Sequence, residues 1–298
     1  MTAEASQKIN LPRVIFVTGK GGTGKSTVAA ALALALARHG PVTLIDLDRR
    51  RSAIKAVSAI PDAARRVDHS VEMLALTAQG ELEAFIERIV PLKMIARRML
   101  QSRTFGFVTT ALPGLEAFLI LERIRILANE AAADRVIVVD APATGGALEL
   151  LKVPAGVQRL APIGTLHRLA AEVEQFIQAA ARFGVLLTTR AEELALREAI
   201  DASAALSALG VGCIAAVLNE CETALFAEED LAKLTGLDGH LRLAQARRHA
   251  ADSAVQARRQ LHHAGLHLLT LPMLYCPALT AAEFEVLANN LDEGLFAR

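Results

Sequence analysis

The chain contains few of the residue types that mark secreted, redox-active or nucleic-acid-binding proteins. Its 298 residues include no tryptophan, one tyrosine and three cysteines, and aromatic residues make up only 4%. Cys213, Cys221 and Cys276 are odd in number and far apart, so neither a disulfide framework nor a CxxC metal or redox site is indicated. The scarcity of aromatic residues also disfavours a base-stacking surface for nucleic acid.

Excess charge and long apolar runs are missing as well. Lysine plus arginine and aspartate plus glutamate balance at 32 each, so no overall field favours nucleic acid or an anionic membrane. The N-terminus has no long apolar signal segment, and no apolar stretch is long enough to span a bilayer. The sequence therefore predicts a cytoplasmic protein with no integral membrane segment and no nucleic-acid partner.

Aliphatic residues are abundant, and their arrangement predicts the fold class. Hydrophobic residues make up 53% of the chain, which is enough to bury a large core. Short hydrophobic runs alternate with Ala/Leu-rich segments, as in an α/β fold with a mainly parallel sheet flanked by helices. We expect strands at residues 13–17, 42–45, 135–139, 159–163, 184–188, 212–218 and 267–271, and helices at 26–39, 192–209 and 241–263.

Strand signals stop between about residues 80 and 130, where we expect a helical insertion within a single domain spanning 1–298. Residues 81–100 are expected to form a helix interrupted at Pro91, and a second helix should follow Pro113-Gly114 and run through Leu127. The insertion is rich in apolar side chains, including methionine. These are Phe85, Ile86, Ile89, Met94, Ile95, Met99, Leu100, Phe105 and Phe107.

A glycine-rich loop follows the first predicted strand and precedes a predicted helix. Residues 19–27, Gly-Lys-Gly-Gly-Thr-Gly-Lys-Ser-Thr, contain the phosphate-binding spacing G-x-x-x-x-G-K-S. Glycines let backbone N–H groups curl around phosphate oxygens, and the helix N-terminus adds its positive end. We expect Lys25 to reach the β- and γ-phosphates, Ser26 to bind Mg²⁺ and Thr27 to contact the α-phosphate. A glycine-rich turn that binds no nucleotide is the alternative.

An additional lysine makes the loop motif more specific. Residues 20–27 resemble the deviant Walker A motif of the group that includes arsenite-pump ATPases, tail-anchored-protein targeting factors, nitrogenase iron proteins and ParA/MinD-type ATPases. The resemblance implies a P-loop NTPase fold and a dimer in which Lys20 reaches across the interface to the partner's ATP. Such a cation neutralises charge on the transferring phosphoryl group, as an arginine finger does. A solvated loop lysine is the alternative.

Acidic residues follow two of the predicted strands. Asp46 and Asp48 end the second strand, where carboxylates would face the γ-phosphate and Mg²⁺. Asp48 resembles the family's first-switch aspartate, which orients the attacking water, although Arg49-Arg50-Arg51-Ser52 replaces the usual P-A-H-N. Pairing of Asp48 with these arginines is the alternative. Asp140 resembles the Walker B acid that holds Mg²⁺ through water, and a purely structural carboxylate is its alternative.

The segment that begins at Asp140 favours one branch of this group. Residues 140–154, Asp-Ala-Pro-Ala-Thr-Gly-Gly-Ala-Leu-Glu-Leu-Leu-Lys-Val-Pro, resemble the second switch of the arsenite-pump and tail-anchor-targeting branch, D-T-A-P-T-G-H-x-L-R-L-L-x-x-P. Ala143 and Gly146 depart from that pattern, and Gly146 removes the usual histidine. The segment favours this branch over ParA and MinD.

Two segments of the distal half resemble the family's adenine contacts. Asn219 ends a predicted strand at the family's V-N position, and its amide can donate to and accept from a purine edge; turn capping is the alternative. Pro272 lies in a segment that resembles the closing base contact. The candidate nucleotide-binding residues are Gly19, Lys20, Gly21, Gly22, Thr23, Gly24, Lys25, Ser26, Thr27, Asn219 and Pro272. The candidate catalytic residues are Lys20, Lys25 and Asp48, and the candidate Mg²⁺ ligands are Ser26, Asp48 and Asp140.

The resemblance covers nearly the whole chain and implies an ATP-hydrolysing switch with ATP and Mg²⁺ as cofactors. ATP would close a homodimer, or a heterodimer with a related ATPase, and so couple hydrolysis to movement of the helical insertion. The leading hypothesis is that the apolar insertion captures a hydrophobic protein client, since methionine-containing helical surfaces adapt to such segments. Packing of the insertion's own core is the alternative for these residues. An ATPase subunit of a metalloid-export system and a ParA/MinD-like positioning or assembly regulator are the alternative functions.

Overall fold

A computed structural model describes residues 11–48, 50–59, 71–77, 79–82, 84, 114–234 and 238–296. These residues form a seven-stranded sheet in the order β3-β2-β4-β1-β5-β6-β7, in which all neighbouring strands are parallel. The sheet confirms the predicted α/β P-loop fold class. The strands are β1 (Val14–Gly19), β2 (Val42–Asp46), β3 (Val71–Ala75), β4 (Val136–Asp140), β5 (Phe183–Thr189), β6 (Cys213–Cys221) and β7 (Leu268–Pro272).

Helices cover both faces of this sheet. They are α1 (Lys25–Leu36), α2 (Ser52–Ser58), α3 (Leu115–Glu130), α4 (Thr144–Leu160), α5 (Thr165–Gln178), α6 (Glu193–Ala208), α7 (Glu228–Lys233), α8 (Asp238–His263) and α9 (Ala281–Phe296). The predicted helices at 26–39, 192–209 and 241–263 correspond to α1, α6 and α8. Among the described helices, none combines the length and the apolar character that crossing a bilayer requires.

The central strand β1 is buried on both faces because its alternate residues enter two different cores. Val14 and Phe16 pack in a cluster with residues of α3, α4 and α5, whereas Ile15 and Val17 pack with α1 and α9. Such a continuous hydrophobic run is typical of a parallel sheet covered on both sides. The carboxyl end of β1 lies between β4 and β5, at the edge where such sheets usually bind ligands.

The described part of the predicted insertion packs against this same sheet. Leu115 and Phe118 of α3 belong to the core cluster that contains Val14. The Arg13 guanidinium, just before β1, donates hydrogen bonds to the carbonyl oxygens of residues 128 and 131–133 at the end of α3. The helix predicted through Leu127 is thus confirmed. The nine apolar side chains of the insertion, and most of the helix predicted at 81–100, lie outside the described residues.

One predicted element is wrong, and several observed elements were not predicted from the sequence. The strand predicted at 159–163 is wrong, because α4 continues to Leu160 and a turn follows it. The edge strand β3 was not predicted, and its residues are only partly buried or exposed. Helix α2 was not predicted either, and it starts directly after the arginine run that departs from the family pattern.

Candidate functional site

The glycine-rich loop joins β1 to α1 and curls back on itself. Gly22 and Gly24 have φ values of 88° and 86°, in the left-handed region that glycine adopts without strain. The backbone N–H and the hydroxyl of Thr23 both donate to the carbonyl oxygen of Lys20, at 3.3 and 2.8 Å. This curled backbone, followed immediately by the N-terminus of α1, has the form that binds phosphate oxygens.

Strand β5 supports the loop from the neighbouring position in the sheet. The Thr188 hydroxyl donates to the carbonyl oxygen of Thr18 at 3.1 Å and lies 3.0 Å from the Thr23 hydroxyl. A Cβ atom on Gly19 would lie 2.1 Å from the Thr188 carbonyl oxygen, so a side chain at position 19 would displace the loop. Sequence reasoning did not identify Thr188 as a site residue.

Asn219 contacts the loop from the end of β6. Its side-chain Nδ2 donates to the carbonyl oxygen of Thr23 at 3.0 Å, and a Cβ atom on Gly24 would lie 2.3 Å from that nitrogen. Asn219 also lines an open cleft of about 280 Å³, together with Gly24, Thr27 and Pro272. The structure therefore brings the two predicted base contacts together beside the loop. One amide hydrogen of Asn219 is already committed to Thr23.

The two lysines of the loop occupy different surroundings. The Lys25 ammonium lies 3.5 Å from the Lys20 carbonyl oxygen, at the limit of a hydrogen bond, and is close enough to Asp140 to lower the pKa of that carboxyl. The Lys20 side chain is partly exposed beside the exposed Gly21 and Gly22. Lys25 thus points to the acidic side of the site, while Lys20 lies at the surface of the loop.

The Asp46 carboxylate bonds to the backbone of the segment that follows β2. This buried carboxylate accepts hydrogen bonds from the N–H groups of Asp48, Ala53 and Ile54, at 2.9, 3.0 and 3.3 Å. One oxygen thus bonds to the backbone of Asp48 and the other to the start of α2. The expectation that Asp46 faces the γ-phosphate stays a prediction. Asp46 fixes the segment that carries Asp48.

Asp48 itself is exposed at the carboxyl end of β2. One oxygen accepts the backbone N–H of Arg50 at 3.1 Å, and the other lies 3.4 Å from the Ser52 hydroxyl. The described contacts of this carboxylate with the arginine run are thus to backbone rather than to a guanidinium group. Asp48 is close enough to Asp140 for its charge to raise the pKa of that carboxyl. The two acids therefore share one electrostatic site.

Asp140 ends β4 next to Asp46, and its carboxylate is buried without hydrogen-bond partners. It is 1% exposed, and neither of its oxygens has a hydrogen-bond partner. Burial raises its pKa to about 6, and the charges of Asp46 and Asp48 add to this effect. The Ser26 hydroxyl, which is nearby but makes no hydrogen bond of normal geometry with it, and the Lys25 charge both lower this pKa. Burying a carboxylate without partners costs free energy, and a cation would remove that cost. Asp140, Ser26 and Asp48 fit a Mg²⁺ site, since oxygen ligands are those that Mg²⁺ prefers.

Several known proteins are similar in sequence to this chain. The sequence profile of a family described as anion-transporting ATPase matches residues 12–186. The chain is 30% identical over 234 residues to the putative ATPase Mb3704 of Mycobacterium bovis, a match that covers 74% of the chain and 68% of that relative. The ATPase BagA of Mycobacterium tuberculosis matches over the same lengths with the same identity. The Streptomyces coelicolor protein SCO2128 is 32% identical over 213 residues, which cover 63% of the chain and 53% of that protein.

Proposed function

The chain belongs to the family of anion-transporting, ArsA-type ATPases, and we propose that it is an ATP-binding and ATP-hydrolysing switch that works as a dimer. Asp140 carries the proposal, because both of its buried oxygens lack hydrogen-bond partners although Ser26 and Lys25 lie close to them. An acid in this position suits a cation that arrives together with a nucleotide. The curled loop between β1 and α1 supplies the neighbouring phosphate site.

Different residues around Asp140 bind the phosphates, hold Mg²⁺ and orient the attacking water. Backbone N–H groups of the loop and the Lys25 ammonium bind the phosphates, while Asp140 and the Ser26 hydroxyl hold Mg²⁺. Bound Mg²⁺ offsets negative charge on the β- and γ-phosphates. Asp48 is exposed, and its carboxylate accepts a backbone hydrogen bond at 3.1 Å and lies 3.4 Å from the Ser52 hydroxyl. Its remaining acceptor sites orient a water molecule toward the γ-phosphate.

A second subunit completes the site in this proposal. Lys20 lies at the surface of the loop, where its ammonium can reach a nucleotide bound by a facing subunit. A cation supplied across the interface neutralises charge that develops on the transferring phosphoryl group. ATP therefore closes the dimer and hydrolysis reopens it, as in other switches that respond to a γ-phosphate. The partner is a second copy of this chain or a related ATPase.

Phosphate release at several protein concentrations tests this proposal. We expect a Mg²⁺-dependent rate per chain that rises with concentration in the wild type and collapses in Lys20→Ala. Lys233→Ala, on the exposed helix α7, is the matched control and should retain the wild-type rate. ATP binding without hydrolysis at any concentration would rule out the homodimer and direct the search to a related partner subunit. Failure to bind ATP would contradict the proposal as a whole.

We extend the proposal to the capture of a hydrophobic protein client by the predicted insertion. Support comes from the apolar composition of residues 85–107, which lie outside the described residues. Replacing Met94 and Met99 by aspartate should abolish capture of an apolar helical peptide while ATP binding stays unchanged. Retained capture would contradict the extension.

The cysteine positions count against the metalloid-export alternative. Cys213 and Cys221 begin and end β6, and eight residue steps of about 3.3 Å separate them by roughly 26 Å. Burial raises the pKa of Cys213 to about 11 and also raises that of Cys221, so neither thiol favours the thiolate form that binds soft metals. These two cysteines cannot share one arsenic atom within a single subunit.

A further inference from the structure

The end of β6 departs from regular strand geometry at Glu220. The pairing of β6 with β7 shifts register between Leu218 and Cys221, and Glu220 has a φ of 55°. Among the described residues, Arg51 and Glu220 are the non-glycine residues with positive φ. Arg51 lies three positions after Asp48, and Glu220 directly follows Asn219. Backbone strain of this kind persists where surrounding structure enforces it, and it concentrates at functional sites.

An ion pair fixes the Glu220 side chain at this strained position. The Arg190 guanidinium lies 2.5 Å from one Glu220 oxygen, and its other terminal nitrogen lies 3.4 Å from Glu192. Arg190 directly follows β5, whose Thr188 supports the phosphate loop at Gly19. The carboxylate therefore belongs to the same framework that positions the loop, and it keeps one oxygen free of Arg190.

Glu220 also contributes the one charged side chain among the described residues that line the nucleotide cleft. Its neighbours there include Pro272 and Met273, which offer apolar contact. Asn219 already gives one amide hydrogen to Thr23. A carboxylate only accepts hydrogen bonds, so the group it selects must be a donor.

We propose that Glu220 is a specificity-determining residue that accepts a hydrogen bond from the nucleoside part of the bound nucleotide. The donor is a ribose hydroxyl or the exocyclic amine of adenine, both of which are N–H or O–H groups that a carboxylate accepts. This inference rests on the proposed binding of ATP. It explains why the chain keeps a strained, ion-paired acid in an otherwise uncharged cleft.

Four triphosphates identify the donor: ATP, 2′-deoxyATP, 3′-deoxyATP and purine riboside triphosphate, which lacks the amine. Wild-type chain should bind one of the three analogues about tenfold more weakly than ATP, the loss expected for one hydrogen bond to a charged group. In Glu220→Ala this difference should shrink to about twofold or less, because the acceptor is gone. Glu192→Ala removes the other acid bonded to Arg190 but lies outside the cleft lining, and it should discriminate as the wild type does.

Glu220→Gly separates recognition from folding. Glycine relieves the positive φ and so offsets the lost ion pair, and we expect its unfolding temperature to stay within about 2 °C of wild type. Its discrimination among the four triphosphates should nevertheless be lost. Equal wild-type affinity for all four, or wild-type discrimination in both Glu220 variants, would overturn this inference while leaving ATP binding in place. Wild-type chain that bound no triphosphate would overturn both this inference and the proposed function.

Discussion

The side-chain amide of Asn219 donates a hydrogen bond to the carbonyl oxygen of Thr23 over 3.0 Å, and this bond joins the end of β6 to the phosphate loop. The two residues are 196 positions apart in the sequence. Asn219 is 5% exposed, so the bond is shielded from water. Asn219 consequently shapes the phosphate site in addition to lining the cleft where a base would lie.

Asn219→Ala should therefore weaken nucleotide binding and also destabilise the ligand-free chain. Removing the amide leaves the Thr23 carbonyl without this donor, which costs about 1–2 kcal/mol of unfolding free energy. We expect the affinities for ATP and ADP to fall by a similar factor, on the order of tenfold. Calorimetric titration and thermal unfolding without nucleotide measure the two effects.

Asn290→Ala is the matched control, because the Asn290 amide bonds to the Val286 carbonyl on the exposed side of α9. This variant should bind both nucleotides as the wild type does. An unchanged unfolding temperature in ligand-free Asn219→Ala would mean that Asn219 acts on the base alone.

Thr188→Val tests the support of the loop by β5. Valine keeps the shape of threonine but removes the hydroxyl that donates to Thr18 and contacts Thr23. We expect a loss of about 1 kcal/mol in unfolding free energy and a several-fold weaker affinity for ATP. Thr189→Val is the control: its buried hydroxyl is 3.4 Å from the Arg190 carbonyl and makes no described contact with the loop. Equal effects on ATP affinity in both variants would contradict the role of Thr188.

The sequence predicted the strands whose hydrophobic runs are continuous and buried. Strands β1, β2, β4 and β5 have almost every residue buried, β6 has a continuous buried run in its middle, and the motif after β1 located the phosphate loop. The edge strand β3 escaped prediction because Val71–Ala75 is only half-buried and Met73 is 41% exposed. The short apolar run at 159–163 misled the prediction, since such a run fits the end of a helix equally well.

Long-range contacts account for the features that the sequence could not predict. Helix α2 has no capping side chain at its N-terminus, and Asp46 of the preceding strand supplies the carboxylate instead. The contact between Thr23 and Thr188 joins residues 165 positions apart. Local sequence patterns do not predict such pairs. The support of the loop by Thr188 and the role of Asp46 could therefore be identified only from the structure.

Helix α3 contains a buried ion pair, and loss of one partner is expected to destabilise the protein strongly. Glu122 is 2% exposed within an apolar core, and the Arg125 guanidinium donates to both of its oxygens at 2.7 and 3.0 Å. Arg125→Ala leaves a buried carboxylate without its partner and should cost about 3–4 kcal/mol of unfolding free energy. The double variant Glu122→Leu with Arg125→Met should recover most of this loss, because no buried charge remains. Chemical denaturation of the single and double variants measures both values, and equal losses in the two would contradict the pairing argument.

Asp140 should make the ligand-free protein less stable as the pH rises through about 6. Burial raises its pKa from 3.8 to about 6 in the folded state, so folding favours the protonated carboxyl. The stability that this proton provides is fully present below the unfolded pKa and is lost as the pH rises through the folded pKa. Asp140→Asn stays neutral at every pH. We therefore expect the variant to be more stable than wild type by about 3 kcal/mol at pH 8, with the difference shrinking toward pH 5.

With Mg²⁺ and ATP bound, the wild type should instead be more stable than Asp140→Asn. Wild-type Asp140 gains a cation next to its ionised oxygens, whereas the neutral amide of Asp140→Asn gains little, so the ligands should stabilise the wild type far more. Thermal unfolding between pH 5 and 8, with and without Mg²⁺ and ATP, measures both effects. Asp134→Asn, an exposed position just before β4, removes one acid outside the site and serves as the control. If ligand-free Asp140→Asn were less stable than wild type at pH 8, Asp140 would be a structural acid with partners of its own, and its assignment as the Mg²⁺ ligand would lose its basis.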